Sequence, residues 1–428
     1  MVIGLPLFQS IAMKSDSATS TGINMQYILI PVVFVSWLSE KISKKELSRI
    51  KLPFLTLFII FIGSLLVSLI NQIDTVSPKL ITHGLVNVYA AVNYLVLFYI
   101  LVNEDLKSHD VKKIFWGILI ISFITAVIGV FEYFTADETL ISGSLRATST
   151  FKSYLRTDTK NNPNAFGTYM AFMAVTAILV WNLNNKKHRV FIYVSIAAII
   201  LGLLLSFSRS SLLGLMFAIL AYTYIRNKKA FILSIIIALI GLVALYFEPT
   251  FHRRIESIMT VVSDKQVINM FLTINPQTLD WSYVEYYGIQ GYYSDIISGA
   301  FRIWAWIEGV QLFFDHPIFG IGFHLNRAFS PWPTAENLYI DFACMTGLLG
   351  FVSFLIIQIR FLRDGFQYLK NPQFTNIGIW WLNILAILFV VSQTGSILFD
   401  SKLLGIFWIL GGLFYNVKLH ERNYIHQS

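Results

Sequence analysis

Long apolar stretches recur along the chain and are separated by polar connections. A helix needs about 20 mostly apolar residues to cross a bilayer, and most of these stretches approach that length. We therefore predict an all-α fold, a polytopic transmembrane helical bundle of about 11–12 spans with one large, partly helical outer loop. The stretches lie at 24–39, 52–70, 85–101, 115–134, 165–181, 190–206, 210–225, 231–247, 338–359, 377–394 and 403–417.

Composition supports a membrane protein. Hydrophobic residues make up 56% of the 428 positions and charged residues only 13%, whereas about 25% of residues are charged in a typical soluble domain. The net charge of +8 has an ordinary explanation, because cytoplasmic loops of membrane proteins carry surplus Lys and Arg. We therefore expect the lipid bilayer, and no nucleic acid, as a partner.

The connections alternate in charge, which predicts the topology. Every second connection is short and basic, for example around Lys44, Lys112 and Lys187. The positive-inside rule assigns these connections and the C-terminus to the cytoplasm. The connections 71–82, 135–164, 206–209, 248–337 and 395–402 then face outward, and we expect the functional site on that extracytoplasmic side.

The outer loop 248–336 is long enough to form a small domain. It divides the chain into a first bundle part (1–247), the loop (248–336) and a last bundle part (337–428). Its many Tyr and Trp residues, Trp306 among them, fit either an aromatic belt at the headgroup level or a surface that stacks on sugars. Within it, 300–315 reads as an amphipathic helix that ends before Pro317 and carries Arg302 off its apolar face.

A serine-rich hairpin at 205–211 surrounds Arg209 on the outer side. The alternative is a snorkelling Arg that reaches headgroup water. Four hydroxyls, including those of Ser208 and Ser210, instead favour an anion site, because a helix begins here and helix N-termini bind anions. The Arg guanidinium also matches phosphate oxygens in pairs. The hairpin therefore predicts a phosphate or pyrophosphate site.

A second outer cluster contains Arg146, Lys152, Arg156 and Lys160. Positive charge in an outer loop runs against the topology bias. Attraction to an anionic lipid headgroup or an acidic glycan accounts for it, and a solvated loop is the alternative.

A third candidate lies where the outer loop returns to the membrane at Glu336 and Asn337. Glu336 is predicted to be a partly buried general base, and helix capping is the alternative. His316, His324 and His252 are rival bases. No metal-ligand spacing, catalytic Ser elbow or P-loop occurs, so no metal and no cofactor are expected.

Three motifs in this order resemble the O-antigen polymerase and O-antigen ligase superfamily, the Wzy/WaaL-type membrane glycosyltransferases. The resemblance spans roughly residues 146 to 350. The motifs are the Ser-x-Ser-Arg hairpin of 206–214, the segment Arg302…Trp306…His316-Pro317-Ile318-Phe319-Gly320-Ile321-Gly322, and Asn337 followed after nine residues by Gly347 and Gly350.

The resemblance implies a metal-independent, inverting transfer of a glycan from undecaprenyl pyrophosphate to an acceptor sugar hydroxyl. By motif match, Arg209 and Arg302 hold the pyrophosphate. Glu336 stands where the family has its proposed base, a His, which leaves that assignment open. Arg146, Arg156, Ser208, Ser210, Asn337, His324 and Trp306 are the expected substrate-binding residues.

We expect a polymerase of O-antigen, capsular or exopolysaccharide repeat units in the bacterial plasma (inner) membrane. The alternatives are a ligase that transfers glycan to lipid A core or another acceptor, and a transporter of lipid-linked sugars. The lipid-linked donor glycan and the acceptor glycan are the expected partners, and a chain-length regulator is a further candidate.

Overall fold

The computed structural model describes residues 26–135, 162–183, 188–246, 292–330 and 334–419, and every regular element in these ranges is helical. Two 3-10 turns, Leu47–Arg49 and Ile397–Phe399, accompany the α-helices. The helices are α1 (Gln26–Ser43), α2 (Leu55–Ile70), α3 (Pro78–Asn103), α4 (Ser108–Thr135), α5 (Pro163–Leu183), α6 (Arg189–Leu205), α7 (Arg209–Arg226), α8 (Lys228–Tyr246), α9 (Tyr292–Asp315), α10 (Asn326–Phe329), α11 (Leu338–Tyr368), α12 (Thr375–Ser392) and α13 (Ser401–Leu419).

Each apolar stretch predicted from the sequence coincides with one of these helices. By length and hydropathy, α3, α4, α5, α11, α12 and the Lys402–Leu419 part of α13 can each cross a membrane, and α2 and α6 are shorter apolar helices. A helix satisfies its backbone hydrogen bonds internally, as the bilayer core requires. The chain is therefore a polytopic helical membrane protein, as predicted, while the figure of 11–12 spans stays a prediction.

The interior of the bundle is built around α12, which packs on α5, α7 and α11. Trp381 of α12 is fully buried and stacks on Phe414 of α13, with 5.1 Å between ring centroids. Small residues let α2 and α11 approach closely: a Cβ atom placed on Gly350 would lie 2.4 Å from the Ser64 hydroxyl oxygen. Close backbone approach of this kind is typical of helix pairs in membranes.

Two side-chain bonds join connections of the bundle that are far apart in the sequence. At the basic end, the Lys51 ammonium donates to the Leu419 carbonyl at 2.8 Å. At the opposite end, here called the outer end, the Asn337 amide donates to the Gln393 carbonyl at 3.3 Å. The assignment of the basic end to the cytoplasm remains a prediction.

Helix α11 is interrupted at Gly347, whose backbone is non-helical (φ 63°, ψ −168°). A stretch from the end of the outer loop, residues 317–322, lies against this break and is here called the inserted segment. It bonds to the backbone groups on both sides of the break: Ile321 N–H to Cys344 C=O (2.9 Å), Gly322 N–H to Met345 C=O (3.1 Å), and Leu348 N–H to Pro317 C=O (2.8 Å).

Glycine is required on both sides of this contact. Gly347 and Gly320 have positive φ, and a Cβ atom on Gly347 would lie 2.3 Å from the Ile318 carbonyl oxygen. A Cβ atom on Gly320 would lie 2.4 Å from the Met345 carbonyl carbon. One glycine from each of two sequence motifs, Gly320 and Gly347, is thus explained by a single backbone contact between the outer loop and α11.

We expect Gly347→Ala to destabilise the protein by at least about 3 kcal/mol, because a backbone conformation of this kind is nearly exclusive to glycine and the added methyl group meets rigid backbone. The measurement is thermal unfolding of the purified protein in detergent. Gly63→Ala is the matched control, since a Cβ atom there meets nothing within 4 Å. Equal unfolding temperatures for both variants would contradict the role given to the break.

Candidate functional site at the outer end of the bundle

The serine hairpin is held by bonds among its own hydroxyl groups. Ser206, Ser208 and Ser211 are buried, and the Ser208 and Ser211 hydroxyls lie 2.8 Å apart. Ser211 also bonds to Thr168 of α5 at 3.1 Å. At the tip of the hairpin, Phe207 has a left-handed backbone (φ 49°), a conformation that costs free energy and persists only where the surroundings impose it.

Arg209 is the first residue of α7, one position before the start predicted from the sequence. Its side chain is partly exposed, as is that of Ser210. Ser208 occupies the N-cap position but makes no side-chain cap bond, because its hydroxyl bonds to Ser211. The Ser208 side chain therefore does not cap α7, and the Arg209 guanidinium group lies at the same helix start. A guanidinium group beside a helix N-terminus is suited to binding an anion.

The outer-loop helix α9 begins at Tyr292, earlier than the predicted residue 300, and ends at Asp315 as predicted. Ile307 and Val310 of α9 are exposed, so they do not make the contact with the turn of residues 334–337. Gly309 makes the contact instead: a Cβ atom there would lie 3.2 Å from Ala335. Arg302 and Trp306, both half-buried, lie on the preceding turns of α9.

Glu336 lies in the turn of residues 334–337, which leads into α11. Its backbone is left-handed (φ 54°) and its side chain is exposed. Glu336 is therefore more exposed than the partial burial that its place at the membrane edge predicted. The next residue, Asn337, is the N-cap of α11, and its side-chain oxygen accepts from the N–H groups of Tyr339 (3.0 Å) and Ile340 (3.2 Å).

Asp341 is a candidate site residue that the sequence analysis did not single out. It is fully buried in the first turn of α11 and accepts hydrogen bonds from the Ala335 N–H (2.7 Å), the Asn326 side-chain amide (3.3 Å) and the Ser396 hydroxyl. An acidic residue within an apolar stretch is a functional candidate by default. The sequence already shows this acidic residue in the apolar stretch 338–359, four positions after Asn337.

Glu308 of α9 is a second carboxylate that was missed. Burial raises the pKa of this carboxyl group above its ordinary value, and a hydrogen bond with Ser330 opposes the shift. Among the described residues, one Glu308 carboxylate oxygen, the Asn326 side-chain oxygen and the Trp306 indole N–H are buried without a hydrogen-bond partner. These three buried atoms therefore have hydrogen-bonding capacity that the described residues do not use.

His324 is packed among aromatic rings. Its ring centroid lies 4.6 Å from Phe399 and 5.9 Å from His83, and its backbone is left-handed (φ 61°). Burial, with a smaller contribution from His83, lowers the pKa of His324 from 6.5 to about 3. The imidazole is therefore neutral and only weakly basic near pH 7, which argues against His324 as the general base.

The structure brings the three sequence motifs to one end of the bundle. Gly214 of α7 packs on Ile387, near the end of α12 whose Gln393 carbonyl bonds to Asn337. Gly309 then connects α9 to the same turn. Arg146 and Arg156 lie outside the described residues. Among the described residues, no group of three or more His, Cys, Asp or Glu side chains is placed to hold a metal ion.

The burial of His324 predicts acid sensitivity. The unfolded chain takes up a proton on this ring below about pH 6.5, whereas the folded protein does so only near pH 3, so stability should fall as the pH drops from 6.5 toward 3. Thermal unfolding at pH 7.5 and pH 5 measures the effect. His324→Asn, which tolerates the left-handed backbone and does not titrate, should show a smaller loss than the wild type.

The control for this prediction is His109→Asn, because His109 is an exposed residue that bonds to its neighbour Asp110. It should retain the wild-type difference between the two pH values. An equal loss of stability in His324→Asn and in the wild type would contradict the assignment.

A comparison with known families supports the grouping of these motifs. The family model described as O-antigen ligase (Wzy_C) matches residues 194–355, and no curated protein matches the chain. The matched range runs from α6 past the break in α11 and includes all three motifs, although it begins later than the predicted residue 146. Wzy_C is a glycosyltransferase-like enzyme family. The match over 194–355 thus confirms the predicted resemblance to the O-antigen polymerase and ligase superfamily.

Proposed function

We propose that the protein polymerises lipid-linked oligosaccharide repeat units at the outer face of the bacterial plasma membrane. In this proposal the donor glycan is carried on undecaprenyl pyrophosphate and the acceptor is a sugar hydroxyl. The observation that carries the proposal is the meeting of the three motifs at one end of the bundle, within the segment that matches the O-antigen ligase family. We further propose that the C-terminus lies in the cytoplasm, because basic and non-basic connections alternate along the chain.

Arg209 and Arg302 are the proposed ligands of the donor diphosphate. Arg209 lies at the start of α7, where its guanidinium group and the helix N-terminus act on the same anion. Arg302 lies seven positions before Gly309, which contacts Ala335. That separation is about 10 Å along the α9 axis, at 1.5 Å per residue. The arginines would neutralise charge on the departing pyrophosphate.

Glu336 is the proposed general base. The acceptor oxygen attacks the anomeric carbon of the donor sugar, the bond from that carbon to the pyrophosphate oxygen breaks, and the hydroxyl proton passes to the Glu336 carboxylate. Inversion follows from attack opposite the leaving group. Since pyrophosphate is a good leaving group, positioning and charge stabilisation account for the chemistry without a metal or cofactor in this scheme.

The remaining predicted residues have distinct proposed roles. Trp306 is a half-buried aromatic residue of α9 and is suited to stacking on a sugar. Ser208 and Asn337 act through the turns that they hold, because their polar side-chain atoms already bond within the protein. Ser210 and His324 line the outer end, and Arg146 and Arg156 are proposed to attract the acidic lipid or glycan.

Transfer of finished glycan to lipid A core or another acceptor is the second candidate function, because the matched family model bears the name O-antigen ligase. The same diphosphate site would serve either reaction, so the two differ only in the acceptor. In both cases the loop 248–336 is proposed to hold the sugars between the two bundle parts, 1–247 and 337–428. A chain-length regulator remains a proposed partner of the polymerase.

We expect Arg209→Ala to reduce glycan transfer by at least about 100-fold, the effect of removing one charge-stabilising donor from an active site. Arg209→Lys should recover only part of the rate, because an ammonium group lacks the paired geometry. Transfer from the lipid-linked donor in isolated membranes is the measurement. Arg226→Ala, at the opposite end of α7, is the matched control. A wild-type rate in Arg209→Ala would exclude the diphosphate role.

A strain that lacks the gene should carry single repeat units on the acceptor, with no ladder of longer chains. Gel electrophoresis of its surface glycans is the measurement, and the intact gene on a plasmid should restore the ladder. Loss of all glycan from the acceptor, together with accumulation of long lipid-linked chains, would identify a ligase and contradict the polymerase proposal.

A further inference from the structure

We infer that Asp341 is a positioning residue, which fixes the 334–337 turn and thereby holds the Glu336 carboxylate where it takes the acceptor proton. This inference rests on the proposed function. It concerns a buried acidic group that the reaction scheme leaves unused, and it assigns that group a role through Glu336 rather than through contact with substrate.

Asp341 is bonded on both of its carboxylate oxygens. One carboxylate oxygen accepts from the Ala335 N–H at 2.7 Å and from the Asn326 amide at 3.3 Å, and the other accepts from the Ser396 hydroxyl. The three donors come from three separate outer segments. A buried carboxylate that is bonded on both oxygens is costly to disrupt, so Asp341 holds these segments at fixed distances.

Both neighbours of Glu336 in the chain are held by hydrogen bonds, which act as clamps on either side of it. Ala335, the residue before it, is tied to Asp341, and Asn337, the residue after it, caps α11 and donates to the Gln393 carbonyl. Glu336 between them has φ 54°. A non-glycine residue adopts this conformation stably only when its surroundings impose it, and such strain clusters at functional sites. The two clamps supply that constraint.

Hydrogen bonds also connect Asp341 to α9, the helix that carries Arg302. Asn326 donates to Asp341, and its carbonyl accepts from the Ser330 N–H at 2.7 Å. Ser330 in turn bonds to Glu308 of α9. Asp341 therefore connects the proposed base to the helix of the proposed diphosphate ligand, so its loss would alter the position of the base relative to the donor.

A purely architectural role is the competing explanation, since an acidic residue in the first turn of a helix is also stabilising. The two explanations predict different kinetics. An architectural residue changes the amount of folded protein, while each folded molecule keeps its activity. A positioning residue changes kcat of the folded protein and leaves the KM for the lipid-linked donor nearly unchanged, because the arginines still bind the diphosphate.

The test is a double-mutant cycle on purified, folded protein with the lipid-linked donor, using Asp341→Ala, Glu336→Gln and the double variant. We expect Asp341→Ala to lower kcat by about 30-fold or more with a donor KM within about threefold of the wild type, since misplacement of a catalytic group by about 1 Å costs about 100-fold. In the Glu336→Gln background, Asp341→Ala should have no further effect.

Two further variants keep the test decisive. Asp341→Asn retains an oxygen that can accept from the Ala335 N–H, so it should recover most of the lost kcat. If Asp341→Ala does not fold, Ser396→Ala is the substitute, because it removes one hydrogen-bond donor to Asp341. Ser396→Ala should also lower kcat, and it should have no effect in the Glu336→Gln background. Asp364→Asn is the matched control. Asp364 is a buried carboxylate at the basic end of the same helix, where it bonds to Tyr415, so its replacement should leave kcat unchanged.

The outcomes separate the inference from the proposed function. Two outcomes would overturn the positioning role while Glu336 keeps its place as base. One is that the effects of Asp341→Ala and Glu336→Gln on kcat multiply in the double variant, and the other is a large rise in donor KM with kcat unchanged. A wild-type rate in Glu336→Gln would overturn both the base assignment and this inference. A wild-type rate in Arg209→Ala would overturn the diphosphate site on which the whole proposal rests.

Discussion

The outer end of this protein depends on the backbone contact between the inserted segment and the break in α11. An interrupted helix at the edge of a bilayer exposes N–H and C=O groups that lipid cannot satisfy. Here the groups around Gly347 are bonded by residues 317–322, with distances of 2.8 to 3.1 Å. The contact joins the end of the outer loop to α11, and so holds α9 and the 334–337 turn in a fixed relation to the bundle.

At this end of the bundle, the described motif residues lie on turns with strained backbone. Three residues with left-handed backbone, Phe207, His324 and Glu336, each lie in a motif or segment singled out in the sequence. Each is held by packing or hydrogen bonds of its neighbours, through Ser208 in the hairpin, Phe399 beside His324 and Asp341 beneath the turn. Rigid turns of this kind suit a site that must hold charged groups at defined positions while a large substrate moves past them.

Much of the fold could be predicted from the sequence, because the bilayer requires long apolar helices and these are visible as apolar runs. The details of the site could not. Contact between Ile321 and Cys344 depends on residues far apart in the chain, and nothing in the apolar run 338–359 marks Gly347 as a break rather than a small packing residue. Glu336 was expected to be partly buried because it lies at the membrane edge, yet the residue is exposed on a turn with a left-handed backbone.

The central claim is that the outer end forms one cationic pocket for the diphosphate of a lipid-linked glycan. Electron cryomicroscopy of the protein in nanodiscs with undecaprenyl pyrophosphate tests it most directly. The account predicts diphosphate density in contact with the guanidinium groups of both Arg209 and Arg302, beside the 334–337 turn. Diphosphate bound elsewhere, or the two guanidinium groups facing separate cavities, would contradict the account.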